Sequence, residues 1–126
     1  MLDDLEATKT GWSVGTPRYM SPEQAAGRHD QVGPATDIFG LGAILYTILT
    51  GRSPYDGASD EEVEDQARGR DLIPPRQWDP SISEGLEDLC LKAMAVEPAD
   101  RFQTPLELGD GLAQILRDIS MSTVSF

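Results

Sequence analysis

The chain has 126 residues, 39% of them apolar and 25% charged, which bounds it to one globular domain or part of one, with a real core. Its formal net charge of −12 argues against nucleic acid, whose phosphates demand a basic face, and equally against an anionic membrane surface, while leaving cationic peptides as compatible partners. Cys90 is the single cysteine, so no intramolecular disulfide and no cysteine metal cluster can form.

Residues 1–20 carry neither helical nor strand period and are rich in Thr, Gly, Asp and Ser, so they read as an extended loop. The start, Met1 to Glu6, lacks the basic and apolar segments of a signal peptide. Ser21-Pro22 reads as a cap followed by proline at the first helical position, opening a short helix that stops near Gly27. Residues 27–35, with two glycines and Pro34, read as a connector.

Asp37 then opens the most hydrophobic segment, Ile38 to Leu49, about twelve residues long and closed by Thr50-Gly51. It is apolar on nearly every face, the pattern of a helix buried on all sides, and it is too short to cross a bilayer of roughly 30 Å. Gly40 and Gly42 each weaken such a helix by about 1 kcal/mol unless packing compensates. Ser53 to Gly57 is a turn, and Ser59-Asp60-Glu61-Glu62 supplies a capping box for an acidic helix to about Arg68.

Residues 69–82 hold Pro74, Pro75 and Pro80 and read as loop. Leu86, Leu89, Cys90 and Ala93 follow helical spacing on an amphipathic helix that ends before Glu97-Pro98. Cys90 reads there as a small buried hydrophobe. Thr104-Pro105-Leu106-Glu107 is a further capping box. Leu108, Leu112, Ile115, Leu116 and Ile119 form the apolar stripe of the last helix, with residues 120–126 as a disordered tail. The expected class is mainly α, without a convincing strand.

Four motifs carry a resemblance to the protein kinases. Gly15-Thr16-Pro17-Arg18-Tyr19-Met20-Ser21-Pro22-Glu23 resembles the substrate-docking segment that closes the activation loop and ends in A-P-E. Asp37 to Gly42 resembles the D-x-W-x-x-G start of the central C-lobe helix, and Leu49 to Tyr55 the L-x-G-x-x-P-F that ends it. Pro98-Ala99-Asp100-Arg101-Phe102 resembles the P-x-x-R-F/P element before the last helix. Together they cover about residues 8–118, and the nearest likeness is to the bacterial Ser/Thr kinases of eukaryotic (Hanks) type.

The resemblance implies a partial kinase fold: an activation-loop remnant and docking loop over 1–20, then a helical C-lobe core over 21–119, with no N-lobe sheet. It implies that Thr16, Pro17 and Arg18 dock a peptide substrate, with Thr16 also helping to select a hydroxyl acceptor. It implies that Glu23 pairs with Arg101, for which a planar guanidinium suits a buried carboxylate. Asp37 matches the aspartate that accepts hydrogen bonds from the catalytic-loop backbone. Thr8, Thr10 and, more weakly, Ser13 match activation-loop sites phosphorylated by a second kinase copy.

What the resemblance does not bring is the reaction. Phosphoryl transfer needs a Gly-rich loop, a strand lysine, a helix glutamate, H-R-D-x-x-x-x-N and D-F-G, and these 126 residues contain none of them. Arg28-His29-Asp30 is only a permuted look-alike of H-R-D and reads as a solvated loop. The run Asp60 to Asp65 lacks the alternating ligands and glycine of a calcium loop and reads as a solvated helix face. The expectation is therefore a cytoplasmic, truncated Ser/Thr kinase with no catalytic, cofactor-binding or metal residue of its own, ATP and magnesium belonging to the parent family. Alternatives of another class are a peptide- or kinase-binding module, or a decoy phosphoacceptor.

Overall fold

A computed structural model describes residues 20–55, 59–69 and 72–124. The expected roles of Thr8, Thr10, Ser13, Thr16, Pro17 and Arg18 lie outside them. The helices are α1 (Pro22–Ala25), α2 (Pro34–Thr50), α3 (Asp60–Gly69), α4 (Pro75–Trp78), α5 (Glu84–Ala93) and α6 (Pro105–Val124), with 3-10 turns at His29–Gln31 and Pro98–Asp100. No strand occurs among the described residues, so the mainly helical class holds.

Local chemistry sets most boundaries. Ser21 accepts from the Gln24 amide at 3.3 Å, and Gln24 Oε1 accepts in return from the Ser21 amide at 3.0 Å, so the short α1 is capped reciprocally. Gly27, at φ +71°, ends that turn. Ser59 caps α3 through the Glu62 amide (3.2 Å), and Thr104 caps α6 through the Glu107 amide (3.1 Å). Ser83 caps α5 in the same way through the Leu86 amide (3.3 Å).

Three expectations need correction. The central helix starts at Pro34 rather than Asp37, because proline suits the first helical position and Thr36 closes the turn onto the Gly33 amide at 3.1 Å. Residues 75–78 are a helical turn inside the expected loop, again with proline at its first position. The last helix runs to Val124, past the expected fraying point at Ser120.

Helix α2 packs against α5, which in turn packs on α6, while α3 lies against α1. One side of α2 contributes Phe39, Ala43 and Tyr46 to a core shared with Tyr55, Val63, Ala67, Cys90 and Met94. Ile38 joins Leu89, Ala93 and Leu108 in a second core. At Gly42 the helices come so close that an added Cβ would lie 2.8 Å from both Ala93 Cβ and Met94 Cγ. The Cys90 thiol donates to the Gly42 carbonyl at 3.4 Å across the same crossing.

The third face of α2 is open. Leu41, Ile44 and Ile48 recur at helical spacing and are exposed, Ile48 by 73%, so the helix is not buried on all sides as its composition implies. The stripe of α6 is likewise uncovered toward its end, at Leu116 and Ile119.

Burial, aided by the nearby Glu87 carboxylate, pushes the Cys90 thiol up from 9.0 to about 12. That leaves about a thousandfold less thiolate at neutral pH than an ordinary cysteine has. A thiol-reactive dye is expected to label Cys90 only after denaturation. Rapid labelling of the native chain would contradict the packing around α5.

Candidate functional site

The site is built around Glu23, the second residue of α1. With Ser21 holding the cap and Pro22 fixing the first helical position, the Glu23 side chain turns inward and is 2% exposed. Arg101, also 2% exposed, follows the 3-10 turn Pro98–Asp100, which its own amide closes onto the Pro98 carbonyl at 3.2 Å. The structure thus brings together two charged residues 78 positions apart in the chain.

Their pairing is bidentate. Arg101 Nη1 donates to Glu23 Oε2 and Nη2 to Oε1, both at 2.7 Å. The remaining guanidinium hydrogens go to the carbonyls of Ala35 (2.9 Å), Ala95 (2.8 Å) and Val96 (3.1 Å). Every one of the five donors of the fork is therefore taken. The Phe39 ring lies beneath the guanidinium, 5.0 Å from its carbon to the ring centroid.

Sequence reasoning missed a further participant. The Thr36 hydroxyl, on a buried residue of the first turn of α2, donates to Glu23 Oε2 at 2.8 Å. Burial alone would raise the Glu23 pKa. Hydrogen bonds from Arg101, from Thr36 and from the Glu23 amide, together with the Arg101 charge, outweigh it and hold the carboxyl below its ordinary value. The one sequence signal for Thr36 is its place three residues after Gly33, as in a capping box.

Asp37 is not drawn into this cluster. It lies exposed in the first turn of α2, where the helix dipole favours a carboxylate. His29 and Asp30 are exposed in the 3-10 turn that follows α1. The acidic run of α3 exposes Asp60, Glu61, Glu62 and Asp65 beside α1. Among the described residues no three His, Cys, Asp or Glu side chains converge as metal ligands would.

A shallow cleft of about 200 Å³ opens next to the ion pair, between α1, the Arg28–Gln31 segment and Val96-Glu97. It falls below the roughly 300–1,000 Å³ typical of small-molecule pockets. The ion pair clamps the residues that follow Met20 onto the start of α2 and the segment before α6.

The chain as a whole is similar to known proteins. The serine/threonine-protein kinase PknB of Mycobacterium leprae (strain TN) is 41% identical over 115 residues, 91% of this chain and 18% of that protein. The tyrosine-protein kinase MasK of Myxococcus xanthus (strain DK1622) is 40% identical over 114 residues, 90% of this chain and 17% of that protein. The chain thus spans less than a fifth of the length of these curated relatives. Among solved structures, the twitchin kinase region from C. elegans superposes with a TM-score of 0.65 at 27% identity, covering 76% of this chain and 16% of that one. No helix of the described residues is long and apolar enough to cross a membrane. Because the sequence profile described as "Protein kinase domain" matches residues 4–112, most of the chain, the protein belongs to the protein kinase domain family.

Proposed function

We propose that these residues form the substrate-side helical part of a serine/threonine protein kinase and that alone they transfer no phosphate. The observation that carries this reading is the buried Glu23–Arg101 pair, which fixes the chain directly after Gly15–Met20, the stretch that resembles a peptide-docking loop. A kinase needs that loop held rigidly, since phosphoryl transfer is mostly positioning and electrostatics.

In this reading Thr16, Pro17 and Arg18 dock the protein substrate, and Thr8, Thr10 and Ser13 accept phosphate from a second kinase copy. The two relatives bear serine/threonine and tyrosine kinase names, so hydroxyl choice rests on Thr16 within its Gly-Thr-Pro context. The acidic face of α3 beside α1 favours a cationic peptide as substrate. The reaction belongs in the cytoplasm, where ATP is available.

The residues described here do not fit ATP or magnesium. The cleft is too small for a nucleotide and no carboxylate cluster converges, so no step of the transfer is assigned to them. Calorimetric titration of the 126-residue chain with magnesium-ATP is expected to show no binding. Radiolabelled ATP is expected to leave a basic Ser/Thr peptide unlabelled. Saturable ATP binding or phosphate transfer to the peptide would overturn the reading.

A further inference from the structure

The Glu23–Arg101 pair has a third member whose placement suggests a task of its own. Thr36 sits in the first turn of α2, and its hydroxyl works in two directions. It accepts from the Gly33 amide at 3.1 Å, closing the turn that starts the helix. It donates to Glu23 Oε2 at 2.8 Å, the same oxygen that Arg101 Nη1 holds at 2.7 Å. The neighbouring Ala35 carbonyl accepts from Arg101 Nη1 at 2.9 Å. Both members of the ion pair therefore grip the opening turn of α2, one through a side chain and one through the backbone.

The guanidinium reaches that turn only through the Ala35 backbone. Arg101 is tied to its own neighbourhood through the Ala95 and Val96 carbonyls, so it anchors Glu23 to the segment before α6. The bond that runs directly from the Glu23 carboxylate to the central helix is the one from Thr36. We propose that Thr36 is a positioning residue acting through Glu23, its hydroxyl registering the segment after residues 15–20 against the first turn of α2. The inference rests on the reading above only for the role of those residues in peptide docking.

The geometry makes a chemical distinction testable. Valine matches threonine in shape but offers no hydroxyl, and serine keeps the hydroxyl without the methyl. Because the Thr36 bond favours the ionised carboxylate, its loss lets Glu23 protonate at higher pH. In acid titrations of the 126-residue chain followed by circular dichroism, Thr36→Val is expected to move the unfolding midpoint upward by about half a pH unit. Thr36→Ser is expected to restore it.

The same Thr36→Val change in a Glu23→Gln background is expected to move the acid midpoint less, by only what the lost Gly33 cap costs, because the carboxyl it acts on has gone. Equal shifts in both backgrounds would overturn the proposal and reduce Thr36 to a local cap for Gly33. Should Thr36→Val fail to fold, carbon-13 NMR of the Glu23 carboxyl in Thr36→Ala and in the unsubstituted chain takes its place. A titration that moves upward in Thr36→Ala supports the proposal, and one that coincides with that of the unsubstituted chain overturns it. Neither measurement involves ATP, so their failure is separable from failure of the kinase reading.

Discussion

Arg101→Ala is expected to destabilise the chain by about 3–5 kcal/mol, the range for removing one partner of a buried ion pair. The reason is what remains behind. The Glu23 carboxylate keeps Thr36 but loses two charge-assisted bonds, while the Ala35, Ala95 and Val96 carbonyls lose their donor. Against a total stability of roughly 5–15 kcal/mol for a small domain, such a loss takes a large share or all of it. Arg101→Lys is expected to recover little, because one ammonium cannot replace a fork that makes five bonds. Urea unfolding monitored by circular dichroism measures the effect. A change below about 1 kcal/mol would mean that the pair behaves like a surface salt bridge.

The pair also carries a pH signature. The Glu23 carboxyl is held below its ordinary value in the folded state and returns to that ordinary value in the unfolded chain. Its contribution is therefore fully present above the unfolded value and is lost as pH falls through the folded one. Glu23→Gln removes this contribution at every pH, so the difference from the unsubstituted chain is expected to be largest near neutrality and to shrink below about pH 4.

The second large effect is expected at Gly42. A Cβ there would meet Ala93 Cβ and Met94 Cγ at 2.8 Å, inside any permitted carbon–carbon contact. Met94 can shift part of its side chain, but Ala93 Cβ belongs to the backbone frame of α5. Gly42→Ala gains about 1 kcal/mol of helix propensity and loses about 1–3 kcal/mol to overpacking, a net destabilisation. Gly42→Leu forces α2 and α5 apart and is expected to abolish the cooperative thermal transition. Adding Ala93→Gly is expected to repair Gly42→Ala although it is itself unfavourable in the unsubstituted chain. Gly40 has nothing within 4 Å of an added Cβ, so Gly40→Ala serves as the control and should be neutral or stabilising. Equal destabilisation by both alanines would show that the crossing is looser than described.

Ser21, Ser59 and Thr104 announced their helices in the sequence because a cap and its amide lie three residues apart, within any reading window. The same proline rule that placed the starts at Pro22 and Pro105 applies at Pro34 and Pro75. There the surrounding glycine or prolines made the segments look like connectors. The openness of Leu41, Ile44 and Ile48 was not legible, since an apolar period says which faces want cover and not which receive it. Thr36 escaped for a similar reason. Its acceptor is 13 residues away, and only the folded turn of α2 brings the two together. The Glu23–Arg101 pairing was legible only through family resemblance, because nothing periodic connects the two positions.

The partners of that bond are 78 positions apart, on α1 and on the segment before α6. Closing such a loop from a disordered chain costs roughly 4 kcal/mol of entropy before any contact rewards it. Where the association of α2 with α5 shortens the effective loop first, the ion pair closes after the core has assembled. Contacts made that late leave the rate of folding almost untouched and set the rate of opening. In that order of events the guanidinium of Arg101 acts as a latch, governing how long the assembled helices stay shut rather than how quickly they find each other.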